Sequence, residues 1–278
     1  MRNIKRITWL IVVMAIVCAL TLAVALPASA DENANVAKIG DTEYASLDDA
    51  IAAANDGDTI TLISDVEVTS VVTVSGKSIT LDLGGNTLTS SATNGISVAA
   101  GAALTVTGNG NMVVTGNYSN GIENSGTLVI ENGTFTAVYG AVRALGGSTT
   151  TINGGTFESS TGRYSMYYWA NSNKTALTVT INNGTFKNSV STAMENGLVT
   201  LKVCGGSFAN DLSAYCEDGF GTTLDESTKM YEYGRVSAPA SYVEDANGNV
   251  TISGEDGLIW FAKQVNEKGN KFSGKTVT

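Results

Sequence analysis

A single short pattern recurs down the chain: Leu-Val-Ile-Glu-Asn-Gly-Thr-Phe from Leu128 to Phe135, Thr-Thr-Ile-Asn-Gly-Gly-Thr-Phe from Thr150 to Phe157, Val-Thr-Ile-Asn-Asn-Gly-Thr-Phe from Val179 to Phe186, and Leu-Lys-Val-Cys-Gly-Gly-Ser-Phe from Leu201 to Phe208. The phenylalanines recur at a spacing of about 22 residues, with the interval from Phe157 to Phe186 longer than the other two, and repetition on this scale is the signature of a stacked repeat fold. Two looser copies, Leu81 to Leu88 and Leu104 to Asn111, extend the series and predict an apolar column through Leu83, Val106, Ile130, Ile152, Ile181 and Val203. A second column is predicted upstream through Ile96, Ile122, Val142, Met166 and Met194.

Within each copy apolar residues alternate with Thr, Glu, Asn or Lys, as a strand with one buried face requires, and the following Gly lets the backbone turn where a Cβ would clash. Each period therefore holds at least two short strands and two turns, with no helix. That predicts an all-β chain folded as a right-handed parallel β-helix, a solenoid with rungs of about 22 residues. A β-sandwich is the competing architecture, but hairpins do not oblige a fixed period.

A solenoid needs closed ends, because a bare rung exposes both core and strand edge. Ser46 reads as a helix N-cap with an acidic residue at Asp49. Leu47, Ala50, Ile51 and Ala54 follow at helical spacing, and Gly57 ends a short capping helix. The predicted organisation is a signal peptide over 1–30, an N-terminal cap with its helix over 31–56, the parallel β-helix over 57–220, a linker with short strands over 221–256, and the start of a truncated second module over 257–278. The last rests on Leu258, Phe261, Ala262 and Val265 at helical spacing, followed by Phe272 to Val277 as turn and strand.

The signal peptide is read from Arg2, Lys5 and Arg6, the apolar run from Ile7 to Leu26, and Pro27-Ala28-Ser29-Ala30 as a cleavage site. It predicts a secreted or cell-surface protein with no membrane insertion after cleavage. Cleavage leaves 16 − 3 = 13 Lys+Arg against 26 Asp+Glu, a net charge of −13. Such a surface repels polyanions, so nucleic acid is excluded as a partner. The chain has no His, which removes His acid/base chemistry, Ser-His-Asp triads and His metal sites. No cofactor and no metal site is expected. Cys204 and Cys216 form either a disulfide or two thiols.

The segment from Ile39 to Ala54, Ile-Gly-Asp-Thr-Glu-Tyr-Ala-Ser-Leu-Asp-Asp-Ala-Ile-Ala-Ala-Ala, with Gly57-Asp-Thr-Ile-Thr-Leu62, resembles the opening segment of pectin-lyase-like β-helix surface proteins of Gram-positive bacteria. Residues 205–219 look like the closing rung of the same proteins. The likeness covers about 36–220 and implies architecture rather than activity, since that superfamily holds lyases, hydrolases, adhesins and stalks.

In β-helical polysaccharide enzymes the site lies on outward side chains of stacked strands. Beside the second column these are Ser97, Glu123, Arg143, Tyr167 and Glu195, either a sugar-gripping ladder or a solvent-screened Glu123–Arg143 pair covered by Tyr167. The long rung between Phe157 and Phe186 concentrates Arg163, Tyr164, Tyr167, Tyr168 and Trp169. With Arg143 these are the candidate ligand-binding residues, a surface for stacking on sugar rings, with packing of an irregular rung as the alternative. Glu123 and Glu195 are the only outward carboxylates of the column, too far apart on successive rungs for paired acid/base work, so no catalytic residue is assigned. The expected function is a non-catalytic module for adhesion, display or binding of an extracellular polysaccharide or host glycan. The alternative is a polysaccharide lyase or glycoside hydrolase, or an accessory domain of one.

Overall fold

The computed structural model describes residues 35–170, 174–217, 220–235, 242–254, 257–258, 261–262, 265 and 272–278. The proposed signal peptide lies outside the described residues.

The chain winds as a parallel β-solenoid of about six turns, with three strands per turn where the sequence required at least two. One complete rung runs Thr127–Ile130, Thr134–Ala137 and Gly140–Leu145, and the next runs Thr149–Ile152, Thr156–Ser159 and Tyr164–Trp169. Equivalent strands pair in parallel in three sheets; two antiparallel strands at one edge bring each of the first two to nine strands, and the third has six. Every third strand therefore returns to its own sheet one rung further on.

Alternation places one side of each strand inside. The first sheet stacks Ile60, Leu81, Val106, Ile130, Ile152, Ile181 and Val203 in register, all buried. Leu81 holds the place predicted for Leu83, which is also buried but two residues further along. The turn that follows is longer in this rung, so the residue at the usual distance before the second strand lies two positions past the column. The third sheet stacks Val72, Ile96, Ile122, Val142, Met166 and Val190. Val190 replaces the predicted Met194, which precedes a 3-10 turn at Glu195–Gly197.

The second sheet carries the repeat's phenylalanines. Phe135, Phe157, Phe186 and Phe208 are fully buried, with ring centroids 5.2, 4.8 and 4.7 Å apart and planes within 7 to 18°. Two positions before each ring stands a glycine with positive φ, between 100° and 130°. At Gly206 a Cβ would lie 2.7 Å from the Gly184 carbonyl oxygen of the rung before. The turn thus needs glycine for both its dihedral and its clearance.

Both ends are closed. Ala37–Ile39 pairs antiparallel with Thr59–Leu62, and helix α1, Leu47–Ala53, buries Leu47, Ala50 and Ile51. The Ser46 hydroxyl accepts from the Asp49 N–H at 3.1 Å and donates to the Asp49 carboxylate at 2.7 Å. The Lys77 ammonium donates to the carbonyls of Ile51 and Ala54 at 2.8 Å each, satisfying the last turn of α1. At the other end the hairpin Phe220–Asp225 and Met230–Arg235 pairs antiparallel with Gly206–Phe208. Tyr233 meets Phe208 edge to face at 5.1 Å, ending the stack. A further antiparallel pair, Tyr242–Glu244 with Val250–Ile252, follows, so the stretch read as a linker holds two hairpins. Residues 257, 258, 261, 262 and 265 are helical.

Cys204 carries a free thiol, and the candidate bridge to Cys216 is not formed. Cys216 pairs across a parallel bridge with Val203, which puts it beside the neighbouring, oppositely directed residue.

Candidate functional site

The outward column of the third sheet forms as predicted over four members: Ser97, Glu123, Arg143 and Tyr167 sit side by side on successive strands. Glu195 does not join them. It lies in the 3-10 turn, where its carboxylate accepts from the Ala170 N–H and ties down the chain just past Trp169.

The long rung keeps its regular strand. Gly140 pairs with Tyr164 and Thr149 with Thr178, whereas the shorter step before it pairs Phe135 with Phe157. The added length is split by the Tyr164–Trp169 strand, the smaller part falling before it and the larger part after it. The aromatics consequently obey strand alternation. Tyr167 and Trp169 point outward, whereas Met166 and Tyr168 point inward.

Tyr168 is therefore not a stacking surface. It is buried opposite Ala144, whose small side chain leaves room for the ring. Its hydroxyl is buried with no hydrogen-bond partner among the described residues, and burial pushes its pKa strongly up.

Tyr167 lies flat along the sheet and reaches two rungs back, donating to the Asn120 side-chain oxygen at 2.8 Å. It crosses Gly140, where a Cβ would stand 2.7 Å from the ring. Glycine at that position is what lets the ring lie down. Burial raises the Tyr167 pKa to about 12, against a smaller opposing pull from Arg143. The Arg143 guanidinium donates to the Glu123 carboxylate at 2.7 Å, with both side chains about a fifth exposed. It also lies 4.5 Å from the Trp169 ring centroid and 5.8 Å from that of Tyr167. A cation over an indole face holds the ring in place, and Trp169 remains 54% exposed.

Beyond the start of the strand, Tyr139 and Tyr164 complete the wall. Tyr139 stands 5.2 Å from Tyr167 and 5.7 Å from Tyr164, with the Arg163 guanidinium 5.3 Å above its ring. Tyr118, one rung earlier, is 6.4 Å from Tyr139 and 68% exposed. Together they bound a groove of about 400 Å³, within the size range of small-molecule sites. Of the residues predicted for a ligand surface, Arg143, Tyr164, Tyr167 and Trp169 line it, Arg163 flanks it, and Tyr168 forms part of its base from inside.

Residues 36–259 match the family described as carbohydrate-binding domain-containing protein. The chain belongs to this carbohydrate-binding family. The match spans the whole solenoid and every residue of the groove. No curated protein and no solved structure matches the chain.

Membership in the carbohydrate-binding family gives the groove's composition a chemical sense. Aromatic faces take the C–H faces of a pyranose, while amide, hydroxyl and guanidinium groups meet its hydroxyls. Tyr118, Asn120 and Tyr139 escaped the sequence reading. They stand just before or at the start of the third strand of consecutive rungs, a relation visible only once that strand is recognised.

Proposed function

We propose that this protein is a secreted, cell-surface, non-catalytic module that binds an uncharged extracellular polysaccharide in the groove of the third sheet. The observation that carries the reading is an outward cluster of Tyr139, Tyr164, Tyr167 and Trp169 around a charge-neutral Arg143–Glu123 pair, in a member of a carbohydrate-binding family. The acid surplus, 26 Asp+Glu against 16 Lys+Arg, disfavours a polyanion. The binding reading is further supported by the engagement of the Glu123 carboxylate with Arg143 and by a sequence without His.

The test is retention on gels and arrays of neutral polysaccharides, with dissociation constants of roughly millimolar to micromolar expected. The double variant Tyr167→Ala with Trp169→Ala should lose retention while circular dichroism stays unchanged. Tyr168 is left intact because its removal would open the core. Retention by the double variant places binding elsewhere, and release of reducing or unsaturated sugar ends by the wild type overturns the non-catalytic reading.

A further inference from the structure

We infer that the groove takes an internal stretch of about three pyranose units, running from the tyrosine cluster along the Tyr164–Trp169 strand to Trp169; this rests on the carbohydrate-binding reading above. The strand has six residues, which at about 3.3 Å per residue separates its ends by roughly 16 Å, room for about three sugar rings end to end. The groove's volume of about 400 Å³ is of the same scale.

The chemistry along that line is ordered. At one end Tyr139, Tyr164 and Tyr167 cluster with centroids 5.2 to 5.7 Å apart. At the other end stands Trp169, fixed by Arg143 beneath it. Between them lies the Arg143–Glu123 pair, while the Tyr167 hydroxyl meets Asn120 on the tyrosine side, two rungs back; both are groups suited to sugar hydroxyls. Aromatic, polar, aromatic is the sequence a short run of pyranoses would meet. Both ends open to solvent, since Tyr118 and Trp169, at opposite corners, are 68% and 54% exposed. A polymer can leave the groove in both directions, and no terminal sugar needs to be recognised.

Along the solenoid axis the two ends differ. Trp169 pairs with Leu145 on the rung before, and Tyr167 and Arg143 continue into Glu123 and Ser97, so the aromatic surface stops on those lines. At the tyrosine end it runs back from Tyr164 through Tyr139 to Tyr118, with centroids 5.7 and 6.4 Å apart, and widens the groove there.

The experiment is calorimetric titration of the whole chain with gluco- and manno-oligosaccharides of one to six units, free and with both ends capped, chosen from ladders whose parent polymers are retained. Affinity should rise about tenfold or more from one unit to three and change less than about twofold from three to six. Capped and free trimers should bind alike. Trp169→Ala should flatten the gain from the third unit, with circular dichroism unchanged. Saturation at one unit, dependence on a free end, a gain continuing to six units, or an unchanged length profile in Trp169→Ala would each overturn the proposal while leaving carbohydrate binding intact. If no neutral polymer is retained, the carbohydrate reading falls and this inference with it.

Discussion

At the scale of single residues, the core is held by a stack of rings contributed by successive repeats. Phe186 is sandwiched between Phe157 at 4.8 Å and Phe208 at 4.7 Å and is fully buried. Backbone ladders fix the rungs above and below, so a cavity there cannot collapse. Phe186→Ala is expected to cost about 3–5 kcal/mol in urea unfolding, and a cost below about 1 kcal/mol would mean the ring is not packed as described. Tyrosines set the alkaline limit. Burial raises the pKa of Tyr167 from 10.0 to about 12 and raises those of Tyr168 and Tyr233 as well. The folded state thus retains phenolic protons that the unfolded chain releases. Stability from these groups is present in full below pH 10 and falls as pH rises from 10 towards 12 and beyond. Chemical denaturation at stepped pH checks this, and a midpoint unchanged between pH 9 and 12 would contradict it. The repeated Phe is legible because its spacing is written in the chain. The inward turn of Tyr168 follows from alternation once Met166 is placed inward, although as one of five aromatic or cationic residues in the rung it also counts among the ligand-surface candidates.

At the scale of elements, the capping helix was legible at its start and blurred at its end. Ser46 caps the helix by accepting from the Asp49 N–H, as the spacing implies, and its hydroxyl also donates to the Asp49 carboxylate, whereas the helix stops at Ala53 rather than near Gly57. Lys77, from 23 to 26 residues away, binds the final carbonyls and supplies a terminator that local sequence does not contain. Ser46→Ala should lower stability by about 1 kcal/mol through loss of the N-cap bond, read as a shift in urea midpoint, and no shift would mean that α1 contributes nothing to closing the first rung. The third strand was the element misjudged. Its column ends at Val190, where a strand of only two residues gives way to the turn that holds Glu195. Met194 fitted the spacing of apolar residues but not the hydrogen-bond ladder.

At the scale of the whole molecule, the solenoid is a one-dimensional stack in which the backbone of each rung pairs only with that of its neighbours, closed by α1 and the N-terminal hairpin at one end and the Tyr233 hairpin at the other. Far-UV circular dichroism should therefore be almost wholly β, with helix below about one residue in ten. Helix above a quarter would rule the solenoid out. The sequence by itself determined the period, the alternation of strands, the glycine turns and the acidic, His-free character of the chain, because these follow from residue type and short-range spacing. Tertiary structure alone decided that there are three sheets, that Leu81 rather than Leu83 enters the column, and that Tyr118 and Tyr139 join Tyr167 and Trp169 around one groove. Those outcomes depend on register between strands a whole rung apart in the chain. A small difference in the length of a turn changes such a register without disturbing the local pattern.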